Sequence, residues 1–355
     1  MSRTRAASAA EPSRGFTRGF PRAPVALATL LAALACGHGE PFGATPPGAL
    51  EPLDPTLPRR LTFNSAADVS PSVVGDTIVF SRQDSGRADG DVCLALLPVE
   101  GGRLYRTACA HGTSADTVRD SWLRPAVSPD RRRVAFLYER RAVASGGLLS
   151  RALVVASFDA PDSVAVTVAG SYDLPGGGLG NGFHQISWAD DVTVRFLGGT
   201  ETSGANASFV PAGVFQFPVG TDPSPDPQIV PDLADATLYA VNDDGTVYFV
   251  SGTDGAVYRW TAGSAPVLDG PFDCLDGSGF GGLTGLAVSG GVLSVIATCL
   301  YPQTPPRSRL LARDLSGGAP RSIEVPFLPA GVAGVPGRPW VVLEVAGDLW
   351  LAALR

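Results

Sequence analysis

The sequence predicts an all-β fold class, and three observations carry that prediction. Gly 43 and Pro 31 make up about a fifth of the 355 residues, which excludes a helical bundle because these residues are the poorest helix formers. Short runs of β-branched and aromatic residues alternate with Gly, Asp, Asn and Pro from Arg59 onward, which is typical of strands and turns. Hydrophobic residues are 45% of the chain, enough to form a large core.

The charge of the chain excludes one class of partner. The formal net charge is −7, and the sequence contains no lysine, so every basic side chain apart from histidine is an arginine. An acidic protein of this kind is poorly suited to neutralising a phosphate backbone. We therefore expect no nucleic-acid partner.

Residues 1–35 have the organisation of an export signal peptide. Five arginines and a single acidic residue, Glu11, precede an uncharged stretch at Ala23–Ala35. Such a stretch is too short for a transmembrane helix, which needs about 20 residues. It suits the apolar region of a signal peptide, so the sequence predicts export.

The end of the signal resembles the bacterial lipobox, in which small residues precede a cysteine that receives diacylglycerol. Here Ala33, Leu34 and Ala35 precede Cys36, and residues 36–58 form a Pro-rich segment suited to an extended tether. The resemblance implies lipidation at Cys36 and membrane attachment through the acyl anchor only. Since Gly37 follows the cysteine, it also implies sorting to the outer membrane, facing the periplasm or the cell surface. The alternative is an ordinary signal peptide with Cys36 unmodified.

The body of the chain, residues 59–355, repeats a unit of about 50 residues. Each unit has a tight turn between two short strands, and successive turns are 47 to 60 residues apart. Four short strands and their loops fill such a unit, which is the size of one β-propeller blade. Six units fit, with turns at Gly75, Asp130, Asp190, Asp243, Gly290 and Gly337.

The two ends of this body predict how the ring closes. The last unit offers three strands, near Gly331–Val335, Trp340–Val345 and Asp348–Ala353, and then the chain ends. A strand at Arg60–Phe63 supplies the fourth, which removes two exposed sheet edges. The prediction is therefore a six-bladed β-propeller closed by an N-terminal strand; a pair of β-sandwiches or a β-helix are the alternatives.

The first unit shows the strand order in full. Its strands are expected near Ser70–Val74, Thr77–Arg82, Val92–Leu97 and Arg103–Thr107. The turn of the second unit lies in Pro125–Phe136, which reads PAVSPDRRRVAF. It resembles the repeat of the TolB propeller and its WD40-like relatives, in which a Ser-Pro-Asp-Gly turn precedes an apolar strand. The resemblance covers about two of the six units well and implies a fold, with no catalytic group.

Strand order also predicts the pairing of four cysteines. In an oxidising compartment an even number of cysteines favours disulfides. Cys93 begins the third strand of the first unit and Cys109 ends its fourth, so the hairpin brings them side by side. Cys274 precedes the first strand of the fifth unit and Cys299 ends its second. We therefore expect Cys93–Cys109 and Cys274–Cys299; four free thiols are the alternative.

Catalytic and metal-binding signals are weak. His38, His111 and His184 lack the spacing of a metal site, and no G-x-S-x-G nucleophile motif occurs. The sequence therefore predicts no catalytic residue, no cofactor and no metal, although a Ca²⁺ site among loop carboxylates stays open. Gly-rich and Pro-rich loops could contact a partner; they lie at Gly170–Gly182, Gly198–Val210, Gly220–Pro231 and Tyr301–Arg309.

These observations predict a function class and leave the partner open. We expect a monomeric binding or scaffolding module at the bacterial cell envelope, whose partner is an envelope protein, a peptide or a glycan. The alternative is an enzyme of lyase, cyclase or glycoside hydrolase type in the propeller channel. Segments expected to line that channel, such as Leu283–Ser289, are mostly small or apolar, which counts against the enzyme.

Overall fold

A computed structural model describes most of the body of the chain. The described residues are 57–63, 67–83, 91–102, 104, 106–109, 117–159, 165–169, 181–201, 208–220, 226–302, 304–323, 325 and 328–355. The signal peptide at 1–35, Cys36 and nearly all of the tether at 36–58 lie outside them. Within the described ranges, regular structure is β-strand apart from one 3₁₀ turn at Pro231–Leu233.

The strands form one sheet of eight and four sheets of four. The eight-stranded sheet contains β2 Asp68–Val74, β3 Thr77–Gln83, β4 Val92–Pro98, β5 Arg106–Ala108, β6 Val118–Val127, β7 Arg133–Ala142, β8 Leu148–Ser157 and β9 Ala165–Ala169. Its strands follow chain order and pair antiparallel, except that β4 and β6 share a single parallel pair, Val92 with Ser121.

The next three sheets are antiparallel meanders in chain order. The β10 sheet contains β10 Asn181–Asp190, β11 Thr193–Glu201, β12 Phe209–Pro218 and β13 Gln228–Ile229. The β14 sheet contains β14 Ala236–Val241, β15 Val247–Ser251, β16 Val257–Trp260 and β17 Val267–Gly270. The β18 sheet contains β18 Gly279–Ser289, β19 Val292–Leu300, β20 Arg307–Asp314 and β21 Arg321–Ile323.

The last sheet, here called the closing sheet, combines both ends of the body. Its order is β1-β24-β23-β22, with β22 Gly331–Gly334, β23 Trp340–Val345, β24 Asp348–Ala353 and β1 Arg59–Arg60. The N-terminal strand therefore completes it, but the paired residues are Arg59 and Arg60 and not Arg60–Phe63. The ladder stops early because the Thr62 side chain accepts from the Leu349 N–H at 2.9 Å, taking the place of a backbone carbonyl.

The first strand of each repeat faces a common centre. β2 contacts β6, and contacts continue through β10, β14, β18 and β22 back to β2. We call these six the inner strands. Sheets whose first strands form such a closed series are arranged as a β-propeller, and the predicted all-β propeller arrangement is confirmed at this level.

Hydrophobic clusters lie between successive sheets, which explains why the middle strands are apolar on both faces. All five residues of β15, VYFVS, are buried, as are six consecutive residues of β19. One cluster joins Phe80 of β3 and Leu61 to Val342 and Leu351 of the closing sheet. Burial of each such side chain contributes about 1.5–3 kcal/mol, so the core also holds the ring shut.

Candidate functional site

The inner strands enclose a cavity of about 710 Å³. Its lining combines apolar residues with a few polar ones. The apolar residues include Val73, Ile186, Leu238, Leu286 and Val332. The polar and charged residues include Ser70, Arg124, Arg131, His184, Gln185, Asp243 and Glu344. A concave, largely apolar cavity with a few polar groups is the usual form of a small-molecule site.

Three inner strands carry the same irregularity at the level of these polar groups. β2, β6 and β10 each contain a register shift in which two residues oppose one residue of the next strand. Ser70, Arg124 and Gln185 lie at these bulges with positive φ angles of 54°, 54° and 44°. Positive φ is uncommon outside glycine and costs on the order of 1–3 kcal/mol, and such strain clusters at ligand-binding positions. The opposing residues are Phe80, Phe136 and Phe196, all fully buried.

Arg124 keeps unused hydrogen-bond donors in the cavity wall. Its Nη1 donates to the Phe183 carbonyl at 2.7 Å, which fixes the guanidinium against the β10 sheet. Within the described part of the chain, its Nε and Nη2 have no hydrogen-bond partner. Burial lowers the pKa of Arg124, and the negative charges of Glu201 and Glu139 oppose that shift.

Glu344 supplies the carboxylate of the cavity wall from β23. Its Oε2 accepts a hydrogen bond from the Ser70 N–H at 2.8 Å, while Oε1 has no partner among the described residues. Gly331 opposes it in β22, and a Cβ there would lie 3.2 Å from Oε2. Burial raises the pKa of Glu344, and the Ser70 N–H and the charge of Arg124 partly oppose that shift.

Gln185 belongs to the same level of the cavity. Its Oε1 accepts from the Tyr239 N–H at 3.0 Å, which links the β10 and β14 sheets. The Tyr239 hydroxyl in turn shares a hydrogen bond of 2.8 Å with Ser187 Oγ. Burial raises the pKa of Tyr239, so this hydroxyl stays protonated and acts as a structural partner.

His184 lies beside Arg124 as a neutral ring. It stacks on Phe209 with 3.8 Å between ring centroids, and its Nε2 is buried without a hydrogen-bond partner in the described structure. Burial lowers its pKa to about 3, with a further contribution from the positive charges of Arg124 and Arg151. A histidine with such a pKa stays uncharged near neutral pH and is a poor proton acceptor there.

An ion-pair chain supports this part of the wall. Glu139 pairs with Arg141 at 2.8 Å and with Arg151 at 2.6 Å, and Arg151 also pairs with Glu201 at 2.6 Å. The chain joins β7 and β8 to β11, so it connects the eight-stranded sheet to the β10 sheet. Together with Arg124 and Glu344, these groups comprise three positive and three negative side chains.

Two contacts join the turns that follow the inner strands. The Asp243 carboxylate accepts from the Gly337 N–H at 2.8 Å, which joins the turn after β14 to the turn after β22. The Arg131 guanidinium packs against Gly75, whose φ is +56°, and a Cβ at that position would lie 1.8 Å from Nη2. The polar groups at the bulges lie farther along the inner strands, away from these turns.

The residues singled out from the sequence fall in several places. The structure contains the disulfides Cys93–Cys109 and Cys274–Cys299, the pairs expected from the strand order. Both lie away from the cavity lining. Cys36, His38 and His111 lie outside the described residues, as does most of the loop at Gly170–Gly182. No group of three His, Cys, Asp or Glu side chains in the described ranges could hold a metal ion.

The cavity residues Arg124, Gln185 and Glu344 were not expected from the sequence. A usable signal exists for two of them, because each is a single charge inside an otherwise apolar strand segment, WLRPAV around Arg124 and WVVLEV around Glu344. Gln185 follows no such pattern. The lining is mostly small or apolar, as expected, and the charged and amide groups at Arg124, Gln185 and Glu344 are the exceptions that the expectation did not include.

Comparison with known proteins finds likeness in structure alone. No protein-family model matches the chain, and no curated protein matches it. The β-propeller domain of Myceliophteria thermophila Cps50 (Swd1) is 11% identical, with a TM-score of 0.46 over 82% of this chain and 99% of that one. TolB from Acinetobacter baumannii is 16% identical, with a TM-score of 0.44 over 78% of this chain and 64% of that one.

A peptidase is a third similar structure. A Mycobacterium tuberculosis puromycin-hydrolyzing peptidase is 14% identical, with a TM-score of 0.45 over 85% of this chain and 53% of that one.

In the described part of our chain, no helix has the length and apolarity needed to cross a membrane.

Proposed function

We propose that this protein is a lipid-anchored, six-bladed β-propeller of the bacterial cell envelope, and that its central cavity binds a partner molecule. The count of six treats the eight-stranded sheet as two blades, β2–β5 and β6–β9. A single parallel pair joins these two halves, whereas each half is a four-stranded antiparallel meander like the other sheets. An envelope protein, a peptide or a glycan is the partner class.

The anchor and the location rest on the leader. An apolar stretch at Ala23–Ala35, a lipobox-like end and Cys36 support lipidation, and the Pro-rich tether would separate the anchor from the folded body. Both disulfides are compatible with an oxidising compartment. Two acyl chains are needed for stable attachment, since one gives only marginal binding.

The observation that carries a binding function is the unused hydrogen-bonding capacity in the cavity wall. Arg124 and Glu344 both line the cavity, and each keeps polar atoms without a partner in the described structure. The cavity lining offers little for acid–base catalysis. Its histidine has a pKa of about 3, and both of its carboxylates, Asp243 and Glu344, already accept a backbone N–H. These features favour a ligand site over an enzyme active site.

Two experiments test the proposal. For the anchor, the full chain is expressed in a bacterium with its own leader, and membrane and soluble fractions are compared with those of Cys36→Ser. We expect wild type in the detergent-extractable membrane fraction and the variant released. Wild type found wholly in the soluble periplasmic fraction would contradict lipidation.

For the cavity, tagged protein is purified from native envelope and the molecules that co-purify are identified. We expect at least one that is retained by wild type and by Arg259→Gln but lost with the double variant Arg124→Gln/Glu344→Gln. Arg259 is exposed on β16 and lies outside the cavity lining, so it is a matched control. If every co-purifying molecule is unaffected by the double variant, the cavity is not the binding site.

A further inference from the structure

We propose that the cavity binds a short zwitterionic peptide with apolar side chains, whose carboxylate pairs with Arg124 and whose ammonium group pairs with Glu344. This inference rests on the proposed function, because it names the ligand of the same cavity. Four features of the lining support it.

The first feature is a pair of opposite charges that do not satisfy each other. Arg124 comes from β6 and Glu344 from β23, and both line the cavity, yet no ion pair joins them. They are close enough for each charge to act on the other. Both side chains are partly buried, and a charge that is partly removed from water is stabilised by an opposite charge. A ligand that carries a carboxylate and an ammonium group would pair both, and guanidinium to carboxylate is the stronger, bidentate contact.

The second feature is the balance of charge. The charged side chains that line the cavity are Arg124, Arg131, Asp243 and Glu344, two of each sign, and His184 is neutral. The whole chain carries a formal net charge of −7. A polyanion would not be attracted to a lining with this balance of charge, whereas a molecule with one positive and one negative group matches it.

The third feature is the apolar remainder of the wall. Val73, Ile186, Leu238, Leu286 and Val332 line the cavity together with the charged pair. A glycan would leave this surface in contact with hydroxyl groups, while aliphatic side chains would be removed from water against it. The volume of about 710 Å³ lies within the range of about 300–1,000 Å³ that small-molecule sites occupy, so it can hold a peptide of a few residues.

The fourth feature is that the charged groups are fixed in place before a ligand arrives. Arg124 has a positive φ at the bulge of β6 and is held by the Phe183 carbonyl. Glu344 is held by the N–H of Ser70, which has a positive φ at the equivalent bulge of β2. A site that is already ordered loses less entropy on binding, which favours affinity for a small ligand.

The test uses calorimetry on the full chain in detergent at neutral pH with three dipeptides. Leu-Leu carries both charges, N-acetyl-Leu-Leu lacks the ammonium group, and Leu-Leu amide lacks the carboxylate. We expect wild type to bind Leu-Leu at least about tenfold more tightly than either blocked form, since one good charged contact exceeds about 1.4 kcal/mol.

The variants assign each end of the ligand to one residue. Arg124→Gln should bind Leu-Leu and Leu-Leu amide equally, while still discriminating against N-acetyl-Leu-Leu. Glu344→Gln should show the opposite preference and keeps an acceptor for the Ser70 N–H. Arg124→Lys keeps the charge and should retain a preference for the free carboxylate. Arg259→Gln and Glu100→Gln change exposed residues outside the lining and should bind as wild type does.

Unfolding curves recorded for each variant separate lost contacts from lost structure. Equal affinity for Leu-Leu and both blocked forms would overturn the inference. The inference would also be overturned if the protein bound N,N′-diacetylchitobiose through Arg124 and Glu344 and did not bind Leu-Leu. A third outcome is that no dipeptide binds, while an envelope molecule is retained by wild type and lost with the double variant Arg124→Gln/Glu344→Gln. In that case the proposed function holds and the peptide inference fails.

Discussion

The carboxylate of Glu344 accepts a hydrogen bond of 2.8 Å from the backbone N–H of Ser70, a residue 274 positions earlier in the chain. The contact joins the third strand of the closing sheet in chain order, β23, to the first inner strand, β2. Because Ser70 has a positive φ of 54°, its N–H direction depends on the bulge in β2. One side chain thus links the closing sheet to the first inner strand at the wall of the cavity.

Replacement of Leu61 by alanine should destabilise the closing sheet. Leu61 is 1% exposed and packs with Phe80 and Leu351, so Leu61→Ala should cost about 2–5 kcal/mol. Leu57→Ala, at a position 65% exposed, should cost less than about 0.5 kcal/mol and is the matched control. Urea unfolding followed by tryptophan fluorescence measures both, and equal midpoints would mean that this segment does not hold the ring.

Loss of either disulfide should lower stability without abolishing the fold. The bonds span 16 and 25 residues, and closing loops of this size should stabilise the protein by about 3 kcal/mol each in the chain-entropy account. The double variants Cys93→Ser/Cys109→Ser and Cys274→Ser/Cys299→Ser are compared with wild type by denaturant unfolding. Non-reducing peptide mapping of exported wild type provides the check, and a Cys93–Cys299 peptide would contradict the strand order.

His184 should make stability depend on acid pH. Its pKa is about 3 in the folded protein and 6.5 as the ordinary value, so the unfolded chain binds the proton more readily. The contribution of the neutral ring is fully present above about pH 6.5. This contribution to the free energy of unfolding decreases by about 1.4 kcal/mol for each pH unit as the pH falls toward 3.

The variant His184→Phe keeps an aromatic ring against Phe209 and removes the titration. Acidification from pH 6.5 to pH 4 should therefore lower the unfolding free energy of wild type more than that of the variant. Since carboxylates titrate in both proteins, only this difference is informative. A difference that does not change with pH would show that folding does not lower the pKa of His184.

Replacement of a buried arginine should lower the free energy of unfolding much more than replacement of a surface arginine. Arg151 is 11% exposed and pairs with both Glu139 and Glu201, so Arg151→Met leaves Glu139 with Arg141 alone and Glu201 without its ion-pair partner, and should cost about 3–5 kcal/mol. Arg338 is 33% exposed and pairs with Asp76 and Glu100 on the surface. Arg338→Met should cost about 0–1 kcal/mol, and thermal unfolding in low and high salt compares the two.

Strand positions followed from the sequence where local chemistry decides them. Trp340–Val345 and Asp348–Ala353 are strands with the predicted bounds, because apolar runs between tight turns have one favourable arrangement there. At Thr62 a side-chain hydroxyl replaces a backbone acceptor, so the closing strand begins and ends earlier than expected. Strand lengths alone do not reveal that a side chain takes the place of a backbone acceptor.

The cavity could not be predicted in the same way. Ser70, Arg124 and Gln185 occupy equivalent bulges but share no residue type, so nothing in their identities marks a common position. The presence of Arg124 and Glu344 in one cavity wall depends on the closure of the ring, which brings together strands far apart in the chain. Sequence patterns report neighbours along a strand, and this site is made by neighbours in space.

The closing strand also determines how the protein would respond to mechanical force. In the described residues, the N-terminal segment of the body pairs through Arg59 and Arg60 with Leu351 and Trp350, and the N–H groups of Leu61 and Thr62 donate to the Leu349 carbonyl. Under the proposed lipid anchor, tension between the leader and a ligand held in the cavity would therefore act on this short ladder first. A strong enough pull would detach β1 first and expose an edge of β24. The propeller would then open at its seam while the remaining sheets stayed packed, so the seam would set the load that such an anchored protein could bear.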